Sequence, residues 1–279
     1  MTLPTFLGIG AHKAGTTWLY KLLLDHPQVY VPQRLKEVDY FGRNYDKGQA
    51  WYESFFPDDD EASAYRVQGE ISPSYLYCEE CPKRIDSLLE NPKLIALLRN
   101  PADRAWSNYL FRVRLDNYQD SFESYLLENP GGIGQSYYSR AVKNYLETFG
   151  HDQFLILIFE QVFADIVGAR CTIADFLGIN AEDFPDQAGF AKINKGFVPR
   201  FGNLYALSTR VLAWASKNQQ YWMINGAKRL GLKRALSMGA KETPLSMKPE
   251  TRHKLQQLFS EDIQELEDLL ELDLNHWRE

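Results

Sequence analysis

One stretch constrains this chain more than any other. The apolar run Thr5–Ile9 leads through Gly8-Ile9-Gly10-Ala11-His12-Lys13-Ala14-Gly15-Thr16-Thr17-Trp18 into a helical pattern over Thr16–Asp25. A short continuous apolar run predicts a strand buried on both faces, and the glycines let backbone amides approach an anion closely. A helix N-terminus adds partial positive charge, and Lys13, Thr16 and Thr17 complete a cradle. The stretch therefore predicts a strand, a phosphate-binding loop and a helix, in that order.

The same grammar recurs. Lys93–Leu98 and Gln153–Phe159 read as further buried strands, followed by helical patterns over Pro101–Arg112 and Val162–Leu177. Strand, loop and helix in repetition imply right-handed crossovers and a parallel sheet, with ligands beyond the carboxyl ends of the strands. The expected fold class is α/β, a parallel sheet flanked by helices on both faces. A single domain over residues 1–279 is expected, with 198–245 as a helical, basic, acceptor-side segment and 246–279 as a closing C-terminal helix. The basic block runs from Lys195 to Lys241 without an acid, and Leu255, Leu258, Ile263, Leu266, Leu269 and Leu270 in the acid-rich segment after it keep helical spacing.

Composition narrows the partners. The 279 residues carry a formal net charge of -6, with 24% charged and 44% hydrophobic residues. That balance excludes a disordered chain and counts against nucleic acid as partner. The three cysteines, Cys78, Cys81 and Cys171, are too few for a secreted framework. Free thiols are expected, and a metal or redox role for Cys78 and Cys81 is not. The N-terminus reads as the start of a strand, without the pattern of a signal peptide, and no run reaches the roughly 20 apolar residues of a membrane span. No transmembrane segment and a cytoplasmic location are expected.

The spacing Gly10-x-x-x-x-Gly15-Thr16-Thr17 nearly matches the nucleotide triphosphatase loop, whose lysine follows the second glycine; here Thr16 stands there and the lysine is Lys13. A second motif follows the second strand: Leu97-Leu98-Arg99-Asn100-Pro101-Ala102-Asp103-Arg104-Ala105-Trp106-Ser107. Arg99 sits at a strand's carboxyl end, and Ser107 two turns into a helix that Pro101 starts. A third is Lys192-Ile193-Asn194-Lys195-Gly196-Phe197.

Together these motifs resemble the sulfotransferases that use 3′-phosphoadenosine 5′-phosphosulfate (PAPS), whose fold is P-loop NTPase-like. In that resemblance Lys13, Ala14, Gly15, Thr16, Thr17 and Trp18 form the 5′-phosphosulfate loop, and Arg99 with Ser107 holds the 3′-phosphate. Lys195 and Gly196 close over the cofactor, although Asn194 replaces an arginine of the cytosolic branch. Lys36-Glu37-Val38-Asp39-Tyr40-Phe41 is similar to the heparan sulfate sulfotransferase branch and its bacterial relatives, and implies Glu37 as catalytic base. Asp39, Glu70 and His12 are rivals. Glu70 lies in Gly69-Glu70-Ile71-Ser72-Pro73, where Ile71 replaces a lysine often found in that branch. Arg104 is expected to pair with Asp103 or another carboxylate. Two readings stand for Trp18, an adenine platform and a buried helix residue.

The resemblance implies transfer of a sulfuryl group from PAPS to a hydroxyl or amine of an acceptor by in-line displacement. Glu37 takes the proton, Lys13 stabilises the leaving phosphate oxygen, and adenosine 3′,5′-bisphosphate is the product, with no metal implied. The alternatives are a P-loop small-molecule kinase and a non-catalytic anion- or carrier-binding module on the same fold.

Overall fold

The computed structural model describes residues 2–190 and 246–279, together with positions 207, 208 and 211. Five parallel strands form one sheet in the order β2-β3-β1-β4-β5. They are β1 (Phe6–Gly10), β2 (Val29–Tyr30), β3 (Val67–Ile71), β4 (Lys93–Leu98) and β5 (Phe154–Ile158). β1 is central, with Leu7 opposite Glu70 on one side and Leu94 on the other. Every residue of β1 is buried, and all of β4 after Lys93. This is the burial that continuous apolar runs predict for a parallel sheet.

Helices flank the sheet. In chain order the α-helices among the described residues are α1 (Thr16–Leu24), α2 (Gln49–Glu53), α3 (Asp59–Ala62), α4 (Cys81–Leu88), α5 (Pro101–Asp116), α6 (Phe122–Glu128), α7 (Pro130–Gly134), α8 (Ser139–Phe149), α9 (Phe159–Ala164), α10 (Ile166–Leu177) and α11 (Pro249–Leu270), of which α1, α4, α8, α9 and α10 lie with the sheet in one compact unit. The predicted helix over Val162–Leu177 is two helices. Asp165 leaves helical geometry at φ -136° and its Oδ1 accepts from the Gly168 amide at 2.9 Å, starting α10 afresh.

β2 and β3 carry no apolar signal strong enough to predict. In β3, Gln68, Gly69 and Glu70 are all buried, although the sequence Val-Gln-Gly-Glu-Ile reads as a polar connection. Gly69 is there for space: a Cβ at this position would lie 2.3 Å from the Phe6 carbonyl oxygen and 2.6 Å from its ring. Only a residue without a side chain lets β3 pair closely with β1.

The chain divides into two compact units. One comprises residues 1–104, 134–193 and 255–279 and holds the whole sheet. Within it α11 buries Leu255, Phe259, Ile263 and Leu266, whereas Leu258 is half exposed, so Phe259 takes the core position that the spacing assigned to Leu258. Asp262 of α11 accepts from the amides of Tyr138 and Ser139 at 2.7 and 3.1 Å, and so caps α8.

The second unit comprises residues 105–133 and 194–254. Trp106, Tyr109, Phe122 and Tyr125 form an aromatic cluster there, with ring centroids 4.9 Å apart between Trp106 and Phe122. Thr251 donates to Glu123 at 2.6 Å. Apart from positions 207, 208 and 211, the expected basic segment 198–245 lies outside the described residues.

Cys78 and Cys81 form a disulfide, contrary to the free thiols expected, and Cys171 is free and exposed. A Cys-x-x-Cys spacing is compatible with closure of this short turn before α4. Among the described residues no helix is long and apolar enough to cross a membrane.

Gly69→Ala is expected to destabilise the protein by about 1–3 kcal/mol, the usual range for overpacking a core. Urea unfolding followed by circular dichroism measures this; an unchanged midpoint would contradict the close β1–β3 approach.

Candidate active site

The site is built at the carboxyl ends of β1, β3 and β4. After β1 the chain turns sharply. Lys13 adopts φ 68° and Gly15 φ 100°, and a Cβ on Gly15 would lie 3.2 Å from the Phe159 ring and 3.3 Å from Leu97. The left-handed conformation and the tight packing both call for glycine. α1 begins at once with Thr16 and Thr17, whose amides stand in the first turn, before any i-4 acceptor exists. Thr16 is buried and Thr17 half-buried.

The second motif meets the first here. The Arg99 guanidinium donates from Nη1 to the Lys13 carbonyl at 3.3 Å and stacks over the Phe159 ring, with Cζ 4.6 Å from its centroid. Its buried Nε has no hydrogen-bond partner. Burial opposes its charge and lowers its pKa. An arginine held by burial and stacking with an unsatisfied N–H is suited to an anion. The main chain around it is fixed from behind. Tyr138 donates to the Arg99 carbonyl at 2.9 Å. The Asn100 amide donates to Glu160 Oε1 at 3.0 Å, Trp277 Nε1 donates to Glu160 Oε2 at 3.2 Å, and Asn100 Nδ2 donates to the Trp277 carbonyl at 3.2 Å. Asn100 Oδ1 then accepts from the Ala102 amide at 3.0 Å, opening α5.

Glu37 comes to the same place from an irregular segment. Lys36 Nζ lies 3.0 Å from Glu37 Oε1 and 3.3 Å from Thr17 Oγ1, bridging the carboxylate to the first turn of α1. The Glu37 side chain is 41% exposed, so it remains accessible to a substrate. Its charge also bears on His12. Burial lowers the His12 pKa, Glu37 opposes that shift, and Lys13 reinforces it. His12 stacks on Tyr77 with ring centroids 6.0 Å apart.

The rival carboxylates are engaged. Asp39 is buried, pairs with Arg43 at 2.7 Å and accepts from Ser74 Oγ at 2.7 Å. Glu70 is fully buried and accepts from the Val38 amide at 3.2 Å, Ser72 Oγ at 2.5 Å, Tyr52 at 3.3 Å and Tyr75. Desolvation lifts its pKa to about 7, against the opposing effect of these hydrogen bonds.

The structure thus brings Lys13–Thr17, Glu37 and Arg99 together. Of the two readings of Trp18, the buried helix residue is the one that its surroundings fit: it is 2% exposed, its Nε1 donates to the Gly189 carbonyl at 3.0 Å, and it packs against Phe163. Arg104 is fully buried, and its Nε donates to Ser136 Oγ at 2.7 Å. Ile71 is fully buried against β1, its Cγ1 2.6 Å from where a Gly8 Cβ would lie. Ser107 belongs to the second unit and is half-buried on α5. Lys195 and Gly196 lie outside the described residues. Among the described residues no group of three or more His, Cys, Asp or Glu is placed to hold a metal. Sequence reasoning gave no role to Lys36, although it stands beside Glu37; nothing in the pattern marked Asn100, Glu160 and Trp277 as supports for Arg99.

A model of the sulfotransferase domain family matches residues 4–195, and the chain belongs to that family. A mouse protein named bifunctional heparan sulfate N-deacetylase/N-sulfotransferase 4 is 33% identical over 214 residues, which cover 67% of this chain and 24% of that protein. Human heparan sulfate glucosamine 3-O-sulfotransferase 3B1 is 31% identical over 204 residues, 70% of this chain and 51% of that protein. The chain therefore spans between about a quarter and a half of the curated relatives it matches. The crystal structure of a sulfotransferase from Alicyclobacillus acidocaldarius aligns over 100% of both chains, with a TM-score of 0.69 and 24% identity. The fold is P-loop NTPase-like.

The raised pKa of Glu70 predicts a pH dependence of stability. A carboxyl with a folded pKa above its unfolded value favours the fold most when protonated, so its contribution is full below about 4.5 and is lost as pH rises to about 7. Relative to Glu70→Gln, the wild-type protein should lose about 3 kcal/mol over that window. Urea unfolding of both proteins from pH 4.5 to 8 measures it; parallel curves would contradict the buried carboxyl.

Proposed function

We propose that this chain transfers a sulfuryl group from PAPS to a hydroxyl or amine of an acceptor, with adenosine 3′,5′-bisphosphate as second product. The observation that carries the proposal is the joining of three parts at one edge of the sheet: the glycine loop, Arg99 bonded to its backbone, and Glu37 held at Thr17 by Lys36. The residues suit the nucleotide. The amides of Thr16 and Thr17 and the Lys13 charge suit the 5′-phosphosulfate, and the unsatisfied Arg99 Nε suits the 3′-phosphate. Ser107, Lys195 and Gly196 join this set on the strength of their motifs.

PAPS, when bound, supplies the sulfuryl group. Glu37 accepts the proton that the acceptor loses as its oxygen or nitrogen bonds to sulfur. Lys13 stabilises the charge that the phosphate oxygen gains when its bond to sulfur breaks. Glu37 is favoured over its rivals because its carboxylate is accessible, while Asp39 and Glu70 are buried and occupied. The acceptor is an amine- or hydroxyl-bearing molecule, and the names of the curated relatives make heparan-type oligosaccharides the first probes.

Transfer of labelled sulfate from PAPS to heparosan, de-N-acetylated heparosan, phenols and long-chain alcohols tests this. The wild-type protein should label at least one acceptor. Glu37→Gln should slow the transfer by roughly a hundredfold to ten-thousandfold, the usual contribution of a general base, while binding of the bisphosphate product persists. Lys13→Ala should also abolish turnover; normal transfer by that variant would overturn the proposed mechanism.

A further inference from the structure

We propose that Glu70, acting with Ser72, is the positioning residue that sets Glu37 in place, by capturing the main-chain amides of the two residues that follow it. This rests on the reading of Glu37 as the base. The segment from residue 31 to 44 contains no helix or strand, so its amides lack the partners that regular structure provides. Glu70 and Ser72 supply them. Glu70 Oε2 accepts from the Val38 amide at 3.2 Å, and Ser72 Oγ accepts from the Asp39 amide at 2.9 Å. Ser72 Oγ in turn donates to Glu70 Oε2 at 2.5 Å, making one unit of the two acceptors.

That unit is anchored to the sheet. Glu70 is in β3, with Leu7 of β1 opposite, and the Ser72 amide donates to the Gly8 carbonyl at 2.9 Å. The other carboxylate oxygen accepts from Tyr52 of α2 and from Tyr75 of the turn before α4. These two phenols, Ser72 and the Val38 amide are the groups that face it, and desolvation raises both phenol pKa values, with Glu70 adding to the rise. The far side of the segment is held by Asn44, whose Nδ2 donates to the Val38 carbonyl at 2.8 Å and whose amide donates to the Asp39 carbonyl at 2.9 Å.

A carboxylate is an expensive filler for a fully buried position, because burial penalises its charge. An apolar residue of similar volume would pack there with less penalty. What an apolar side chain lacks is an acceptor for the Val38 amide and the Ser72 hydroxyl. The carboxylate thus fixes the direction in which the chain leaves Glu37, and with it the reach of Glu37 towards Thr17 and His12. Glu70 itself is fully buried and touches neither partner of the reaction.

The test uses the His12 imidazole as a local reporter, because the charges that bear on it are Glu37, Lys13, Arg104 and Asp39. Its Cε1–H resonance is titrated by NMR in the full chain for the wild type, Glu37→Gln, Glu70→Leu, Glu70→Gln and Ser72→Ala, with the affinity for adenosine 3′,5′-bisphosphate measured alongside. Glu37→Gln should lower the His12 midpoint. Glu70→Leu should lower it to the same position, and the double variant Glu37→Gln/Glu70→Leu should go no lower. Glu70→Gln, which keeps an acceptor for Val38 but removes the charge, should restore the wild-type midpoint. A wild-type midpoint in Glu70→Leu, where Glu37→Gln lowers it, overturns the positioning role and leaves the base reading standing. A wild-type midpoint in Glu37→Gln overturns the placement of Glu37 beside the loop and the positioning proposal with it. If Glu70→Leu no longer folds, Ser72→Ala decides, since it removes the Asp39 partner and the hydroxyl that joins it to Glu70 while leaving the carboxylate on the Val38 amide. A lowered midpoint there supports the proposal, and an unchanged one overturns it.

Discussion

The hydrogen bond from Arg99 to the Lys13 carbonyl is the contact on which the site depends. It joins two loops more than eighty residues apart in sequence, and it exists because β1 and β4 are neighbours in a parallel sheet, with Gly8 opposite Ile95. Parallel pairing brings the carboxyl ends of adjacent strands to one edge. A glycine loop leaving β1 and an arginine leaving β4 therefore meet without any long-range device beyond strand order. The left-handed Gly15 completes the arrangement, because it turns the chain between Leu97 and Phe159, and the Phe159 ring also carries the Arg99 guanidinium.

Behind this edge the protein uses buried polar groups where a simpler core would be apolar. Asn100, Glu160 and Trp277 lock the residue after Arg99, and Tyr138 holds the Arg99 carbonyl. Glu70, Ser72 and Asn44 do the corresponding work for the segment that carries Glu37. Each buried polar atom tolerates its desolvation only while its partners stay in position, which makes such networks specify geometry more than they add stability. The site is thus a few accessible charges mounted on a rigid, hydrogen-bonded support.

Much of this was legible in the sequence, for definite reasons. β1, β4 and β5 appear as continuous apolar runs, and the glycine loop and Arg99 follow two of them, so both the sheet and the site edge can be read directly. β3 is hidden because its buried residues Gln68, Gly69 and Glu70 serve close packing and the polar network instead of hydrophobic burial. Trp18 stood with two readings because composition cannot show which way a helix faces; its burial follows from where α1 packs. The Cys78–Cys81 disulfide also escaped, since spacing alone does not separate paired from free thiols. Lys36 is the instructive case: it stood beside the assigned base in full view, but its link to Thr17 arises only when the segment after β2 returns to the first turn of α1.

Membership of the sulfotransferase domain family and the geometry of the loop edge support the same account, that two anion-binding loops form one receptor for a nucleotide phosphorylated on both the 3′ and 5′ sides. Calorimetric titration of the wild type and Arg99→Ala with adenosine 3′,5′-bisphosphate and with adenosine 5′-monophosphate tests that claim most directly. The account predicts that the wild type prefers the bisphosphate by roughly tenfold or more, the worth of a charge-assisted contact, and that Arg99→Ala loses the preference. Equal affinity of the wild type for the two nucleotides would contradict it.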